Sequence, residues 1–306
     1  MEAKKNCHQQ PFAEMAGFVV NSRSRFARIL TSIENNQFRS SQLTSSGEPM
    51  SAMPRATRPV TKIVVVRLIR QIEFMTEINK ISRIAGLIYL GVVLTGLFSL
   101  MYVPSKLINY DNASLTFQNL TASEMLFRFG IVSGVLCYIF FLFLPIVLYK
   151  LLRQVNEEIA KLMVLLALIS VPMYFVNLQN ELTALSLIKA PNYLNVFSTE
   201  QIQSQVLLYI NQYDNGMRLI HIFSGLWLFP FGYLVFKSNF LPKILGILLM
   251  LGCFGYLINF FGSRLISNYS ELGISSYISL PASLGEIGTC LWLIIIGAKE
   301  KFTSSK

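Results

Sequence analysis

Hydrophobic and polar positions divide the chain into two regimes. After Met75 six long apolar stretches alternate with polar links, at Ile84 to Val103, Gly130 to Tyr149, Leu162 to Leu178, Leu219 to Phe236, Ile244 to Phe261 and Ile278 to Gly297. At about 1.5 Å of helical rise per residue, each crosses or nearly crosses a hydrocarbon core of about 30 Å. Helices are the expected form, because lipid offers no partner to an open sheet edge and the sequence lacks the alternating strands of a barrel. The third stretch is the shortest, and Ala184, Leu185, Leu187 and Ile188 allow its helix to continue beyond Leu178.

The polar links carry signals of their own. Thr121 followed by Glu124 fits a capping box that starts the second helix near Thr121, with Met125 and Phe127 in the interface. Ser198 or Thr199 can cap a helix whose Ile202, Val206, Tyr209, Ile210 and Tyr213 form one apolar stripe. That helix is expected to lie across one mouth of the bundle, with Gly216 turning the chain into the fourth span.

Residues 1 to 74 read differently, as Ser, Gln, Asn, Pro and scattered Arg without sustained periodicity, which is the pattern of a disordered extension. They do not form a signal peptide, since Glu14 interrupts the only early apolar run. Within them Ile63 to Met75 mixes Val and Ile with Arg67 and Arg70, so that an amphipathic turn on anionic lipid and a solvated basic tail are the two readings. Residues 75 to 306 then constitute the membrane domain.

Composition agrees with this division. Of 306 residues 53% are hydrophobic and only 14% charged, too apolar for an ordinary soluble chain. The formal charge of +10 invites a nucleic-acid partner, but the basic residues are sorted by membrane side and the bilayer is the better partner. Helix ends on one side carry Arg67, Arg70, Lys80, Arg83, Lys150, Arg153, Lys161, Lys237, Lys243, Lys299, Lys301 and Lys306. The other side holds Lys106, Arg128, Lys189, Arg218 and Arg264. The positive-inside rule therefore places both termini in the cytoplasm of a multi-pass plasma-membrane protein. Tyr102, Tyr149, Tyr233 and Tyr277 near span ends suit an interfacial aromatic belt.

Several stretches in order carry a family resemblance: Arg83-Ile84-Ala85-Gly86-Leu87-Ile88-Tyr89-Leu90, Ser123-Glu124-Met125-Leu126-Phe127-Arg128-Phe129-Gly130, and Leu148-Tyr149-Lys150-Leu151-Leu152 with Val155-Asn156. The most specific is Phe223-Ser224-Gly225-Leu226-Trp227-Leu228-Phe229-Pro230-Phe231-Gly232-Tyr233-Leu234, leading through Lys237-Ser238 to Leu241-Pro242-Lys243-Ile244-Leu245-Gly246. From Met75 onward the chain resembles a family of bacterial integral membrane proteins known as domain of unknown function 4386. The resemblance implies an all-α polytopic bundle and no activity. It also implies a natural start near Met75, which would make residues 1 to 74 an upstream extension; a genuine cytoplasmic tail is the rival reading.

Candidate chemistry is confined to the few polar groups inside or beside the spans. An intramembrane ionisable group costs a few kcal/mol on insertion scales, so each is a functional candidate. Glu286 is the carboxylate deep in a span, flanked by Gly285 and Gly288, which allow close approach of a backbone or ligand. Asn177, Asn180 and Glu181 share one face of the third helix, while Asp214, Arg218 and His221 lead into the fourth. Arg128 opens the second helix, and Asn259 and Arg264 close the fifth. If these faces converge, they form a polar cavity open to the outer side with Glu286 at its floor. The alternatives are a structural carboxylate at Glu286 and helix-end solvation elsewhere.

His221 suits proton transfer, with an ordinary pKa of about 6.5. No second His and no Cys on the outer side stands ready to share a metal with it, and no cofactor is implied. Cys137, Cys253 and Cys290 read as small buried apolar residues. Pro145, Pro172, Pro230 and Pro281 interrupt spans and free carbonyls. Gly130 and Gly134 form a G-x-x-x-G pair suited to packing within the bundle or to a helix-mediated oligomer. The resulting expectation is a binding or transport protein for a small polar solute, ion or lipid headgroup. The runner-up is a non-catalytic scaffold or accessory subunit, and an enzyme comes third for want of a nucleophile, base or metal site.

Overall fold

The computed structural model describes residues 58–189, 195–266, 268–269 and 272–298, with side-chain surroundings from Thr76 onward. The described residues are helical and contain no strand. In order they form α1 (Arg58–Gly96), a π-helical segment (Leu97–Tyr102), α2 (Val103–Leu107), α3 (Ala113–Ala122), α4 (Glu124–Leu152), α5 (Glu157–Ile188), α6 (Thr199–Leu226), α7 (Leu228–Lys237), α8 (Lys243–Leu265) and α9 (Ile274–Ile295). Six of the continuous helical runs are long and apolar enough to cross a membrane: Thr76–Leu107, Glu124–Leu152, Glu157–Ile188, Thr199–Lys237, Lys243–Leu265 and Ile274–Ile295. All six lie in the unit Arg67–Lys306. Their alternating directions gather Lys80, Lys150, Lys161, Lys237 and Lys243 at one end of the bundle, called here the basic end.

α1 starts earlier than the hydropathy pattern suggested. Residues 1 to 57 lie outside the described residues, but from Arg58 the backbone is helical, so Ile63 to Met75 belongs to a long helix rather than to a separate turn or a coil. The sequence permits this, since Pro59 stands in the first turn, where its missing N–H is tolerated, and no Gly or Pro follows before Gly86. Toward its other end the first span widens into the π turn just before Pro104, and the Val103 amide bonds to Phe98 five residues back. Proline cannot supply the ordinary bond and crowds the preceding turn, which the wider turn relieves.

The second span does not begin at Thr121. That residue lies within the last turn of α3, where its hydroxyl donates to the Phe117 carbonyl at 2.8 Å, and its helical backbone is not that of an N-cap. α4 begins at Glu124 without a side-chain cap. Of the two expected caps, Ser198 and Thr199, it is Ser198 that forms one, as a reciprocal box with Gln201. Val206, Ile210 and Tyr213 are buried as the stripe required, and Met217 and Ile220 extend it. The helix does not turn at Gly216; it continues as α6 to Leu226 and breaks at Trp227. The break falls where Pro230 deprives the Leu226 carbonyl of its helical donor.

An aromatic column holds the centre of the bundle. Tyr138 stacks on Tyr174 with ring centroids 3.8 Å apart, Phe141 meets Trp227 edge-on at 5.3 Å, and Trp227 stacks on Phe231 at 5.1 Å. The rings come from α4, α5, α7 and the break itself, so one cluster ties three spans together. α5 packs chiefly on α6, and α9 on α8. Gly130 and Gly134 receive Val103 and the Tyr174 hydroxyl from the same chain, which makes this small-residue seam a contact within the bundle.

Candidate functional site

At the end opposite the basic one, α5 and α6 bring together most of the polar residues singled out in the sequence. Asn177 is buried and donates to the Tyr213 carbonyl of α6 at 2.8 Å, while its own oxygen accepts from Asn180 at 3.0 Å. Gly216 makes this possible, because a Cβ there would meet the Asn177 side chain. Gly216 therefore serves close approach rather than a turn.

One helical turn beyond Asn177, Glu181 is half-buried and electrostatically coupled to Asp214 across the α5–α6 interface. Among the described residues no ion pair joins either carboxylate to a base. The Tyr110 phenol, from the link between α2 and α3, faces Asp214. Burial, with the neighbouring Asp214 carboxylate behind it, holds the Tyr110 phenol well above its ordinary range, even though the residue is about half exposed. Arg218, one turn along α6, is exposed and lies close enough to act on both Tyr110 and Asp214. Tyr174 and Tyr213 also feel the Glu181 charge, which puts three tyrosines about two acidic groups.

Glu286 stands apart from this cluster. It lies roughly 18 Å along α9 from Ile274 and roughly 13 Å from Ile295, close to the middle of the helix. Its neighbours are the Tyr256 and Tyr89 phenols and the Cys137 thiol, all of which sense its charge. Among the described residues no base pairs with it. The flanking glycines admit α8: Gly285 faces the Leu249 amide and Gly288 the Leu245 side chain. His221 connects the two regions, its ring centroid 5.7 Å from that of Tyr256.

Three other candidates have local partners. Arg128 is bonded at 2.7 Å to Glu124 on its own helix. Asn259 donates to Ser279 at 2.8 Å and to the Ser275 carbonyl at 3.2 Å, and accepts from Tyr269 at 2.6 Å, so it ties α8 to α9. Arg264 is exposed and donates to Asn215 at 2.9 Å. A shallow recess of about 360 Å³, lined by Phe197, Glu200, Gln201, Ser204 and Gln205, lies at the start of α6, and neither Glu181 nor Asp214 contributes to it. Among the described residues no group of three His, Cys, Asp or Glu could hold a metal ion. Tyr110, Tyr89 and Tyr256 escaped the sequence reading, because a tyrosine near a span end or in an apolar run looks like belt or core.

Comparison with known proteins adds three findings. The model of a domain family described as "Domain of unknown function (DUF4386)" matches residues 84–297. A protein of Archaeoglobus fulgidus, itself described as uncharacterized, is 28% identical over 172 residues, which are 56% of this chain and 85% of that protein. No solved structure matches the chain.

Proposed function

The chain belongs to the DUF4386 family of domains of unknown function, and from that premise we propose that it is a plasma-membrane protein, basic end in the cytoplasm, which binds or transports a small cationic solute or ion at its other end. The observation that carries the reading is the electrostatic coupling of Glu181 to Asp214 from α5 and α6, with no ion pair to either among the described residues. Two acidic groups half-withdrawn from water repel one another and favour a positive charge between them. Tyr110, half-exposed beside Asp214, offers its hydroxyl and aromatic face to the same charge. Arg218 is exposed and free to swing aside or to hold an accompanying anion.

The test is thermal unfolding of the purified full chain with sodium, potassium, ammonium, choline and spermidine as separate probes. A probe at about a hundred times its Kd adds about 2.7 kcal/mol to the folded state and raises Tm. The expected result is a rise with at least one probe that disappears in Glu181→Gln and Asp214→Asn. No rise with any probe, or the same rise in the double variant, would overturn the reading. A non-catalytic scaffold is the second reading, favoured by the tight aromatic column and by a recess that excludes both carboxylates.

A further inference from the structure

The seam between the first and last spans has an unusual polar content. Asn79, Ser82, Gly86 and Tyr89 recur at i, i+3, i+7 and i+10 and so share one face of α1. That face meets α9: the Cys290 thiol reaches the Gly86 carbonyl at 3.6 Å, and a Cβ on Gly86 would come within 2.7 Å of Ile294. At the basic end a Cβ on Gly297 would meet the Asn79 side chain. On α9 the facing residues run from Glu286 through Thr289 and Cys290 toward Gly297.

Among the described residues Asn79 Oδ1, Ser82 Oγ, Tyr89 Oη and Thr289 Oγ1 are buried atoms with no hydrogen-bond partner, as is Trp292 Nε1 on the α9 face that carries Gly285 and Gly288 toward α8. Ser82 and Thr289 are fully buried and Tyr89 is 2% exposed. Tyr174 is the remaining orphan of this kind among the described residues, and it lies elsewhere. Buried polar atoms nearly always have a protein or water partner, and hydroxyls spaced about a turn apart are groups that can hold water or pass a proton. The orphans begin at the basic end and stop at Glu286.

We propose that the α1–α9 seam is a proton-access path joining Glu286, near the middle of α9, to the basic end of the bundle. Glu286 takes up a proton as a neutral acid and releases it as a carboxylate, the proton passing by way of Tyr89, Thr289 and Ser82 to water beside Asn79. The titratable groups facing Glu286 are Tyr89 from α1, Tyr256 from α8, Cys137 from α4 and Cys290 on its own helix. None is basic, so no fixed cation locks Glu286 as a carboxylate and it is free to change state. The inference does not depend on the binding of a solute by Glu181 and Asp214.

The test uses the full chain in sealed vesicles and dicyclohexylcarbodiimide, a lipid-soluble probe of protonated carboxyls. The acid adds across one C=N bond of the probe, its proton going to nitrogen, and mass spectrometry locates the adduct. The pH is set separately on the two sides, and protease cutting after Arg153, in the exposed turn between α4 and α5, identifies the basic-end side. Glu286 labelling should fall about tenfold when that side goes from about pH 5 to about pH 9, and should ignore the other side. Tyr89→Phe with Thr289→Val, which keeps ring and volume, should slow the response severalfold without changing Tm by more than a few degrees. Glu286→Gln should lose the adduct. Labelling that follows the opposite side, that ignores pH on both sides or that never occurs would overturn the proposal, as would an unchanged response in the double variant.

Discussion

Asn177 and Gly216 show how one pair of residues fixes the approach of two spans. The amide is buried and occupied at both ends, by the Tyr213 carbonyl and by Asn180, in a space that exists only because position 216 lacks a side chain. Asn177→Ala leaves a buried carbonyl and Asn180 short of a partner and should cost about 1–3 kcal/mol in thermal unfolding. Gly216→Ala should be destabilising by itself yet neutral or favourable in the Asn177→Ala background, where the obstruction is gone and alanine's helix preference of about 1 kcal/mol remains. Additive losses in that double-mutant cycle would show that the two side chains do not share this space. Glu181 and Asp214 are held at the same interface, so the spacing set by Asn177 also sets the separation of the carboxylates.

Among elements, the α7–α8 hairpin packs backbone directly on backbone. A Cβ on Gly232 would lie 2.6 Å from the Gly246 carbonyl, and one on Gly246 would lie 2.6 Å from the Phe236 amide. Backbone meets backbone there, and backbone cannot be displaced as a side chain can. Gly246→Val should therefore cost at least about 1–3 kcal/mol, the usual range for overpacking, and lower Tm in detergent. Gly288→Ala is the comparison, since its new methyl meets only the end of Leu245. Its loss should be much smaller, and equal losses would contradict the packing described. The break at Trp227 belongs to the same scale: Pro230 interrupts the fourth span, and the ring of Trp227 occupies the gap in the column.

For the whole molecule, the sorting of lysines and arginines by end is the strongest global feature. Anionic lipid and the insertion machinery both retain positive segments on the cytoplasmic side. A fluorescent protein fused after Lys306 should fluoresce in cells, whereas an export-dependent phosphatase fused at the same place should be inactive. The reverse pattern would invert the bundle and turn the α1–α9 seam toward the outside.

Six spans, an all-helical fold and a cap at Ser198 or Thr199 were legible in the sequence because each depends on residues within a few turns: apolar length, the absence of breakers, a hydroxyl just before an apolar stripe. Asn177, Asn180, Glu181, Arg218 and His221 could be put on shared helix faces by the same local rules. Which faces meet could not, because pairing among six apolar helices is decided by shape, and lipid gives no hydrophobic preference between one apolar face and another. Only the tertiary structure separated Glu286 from the Glu181 cluster, gave Asn259 and Arg128 to structural bonds, and drew Tyr110 to Asp214 across more than a hundred residues of chain. It also decided that Gly216 is a place of contact rather than a turn, since a glycine reads alike for both until its neighbour is known.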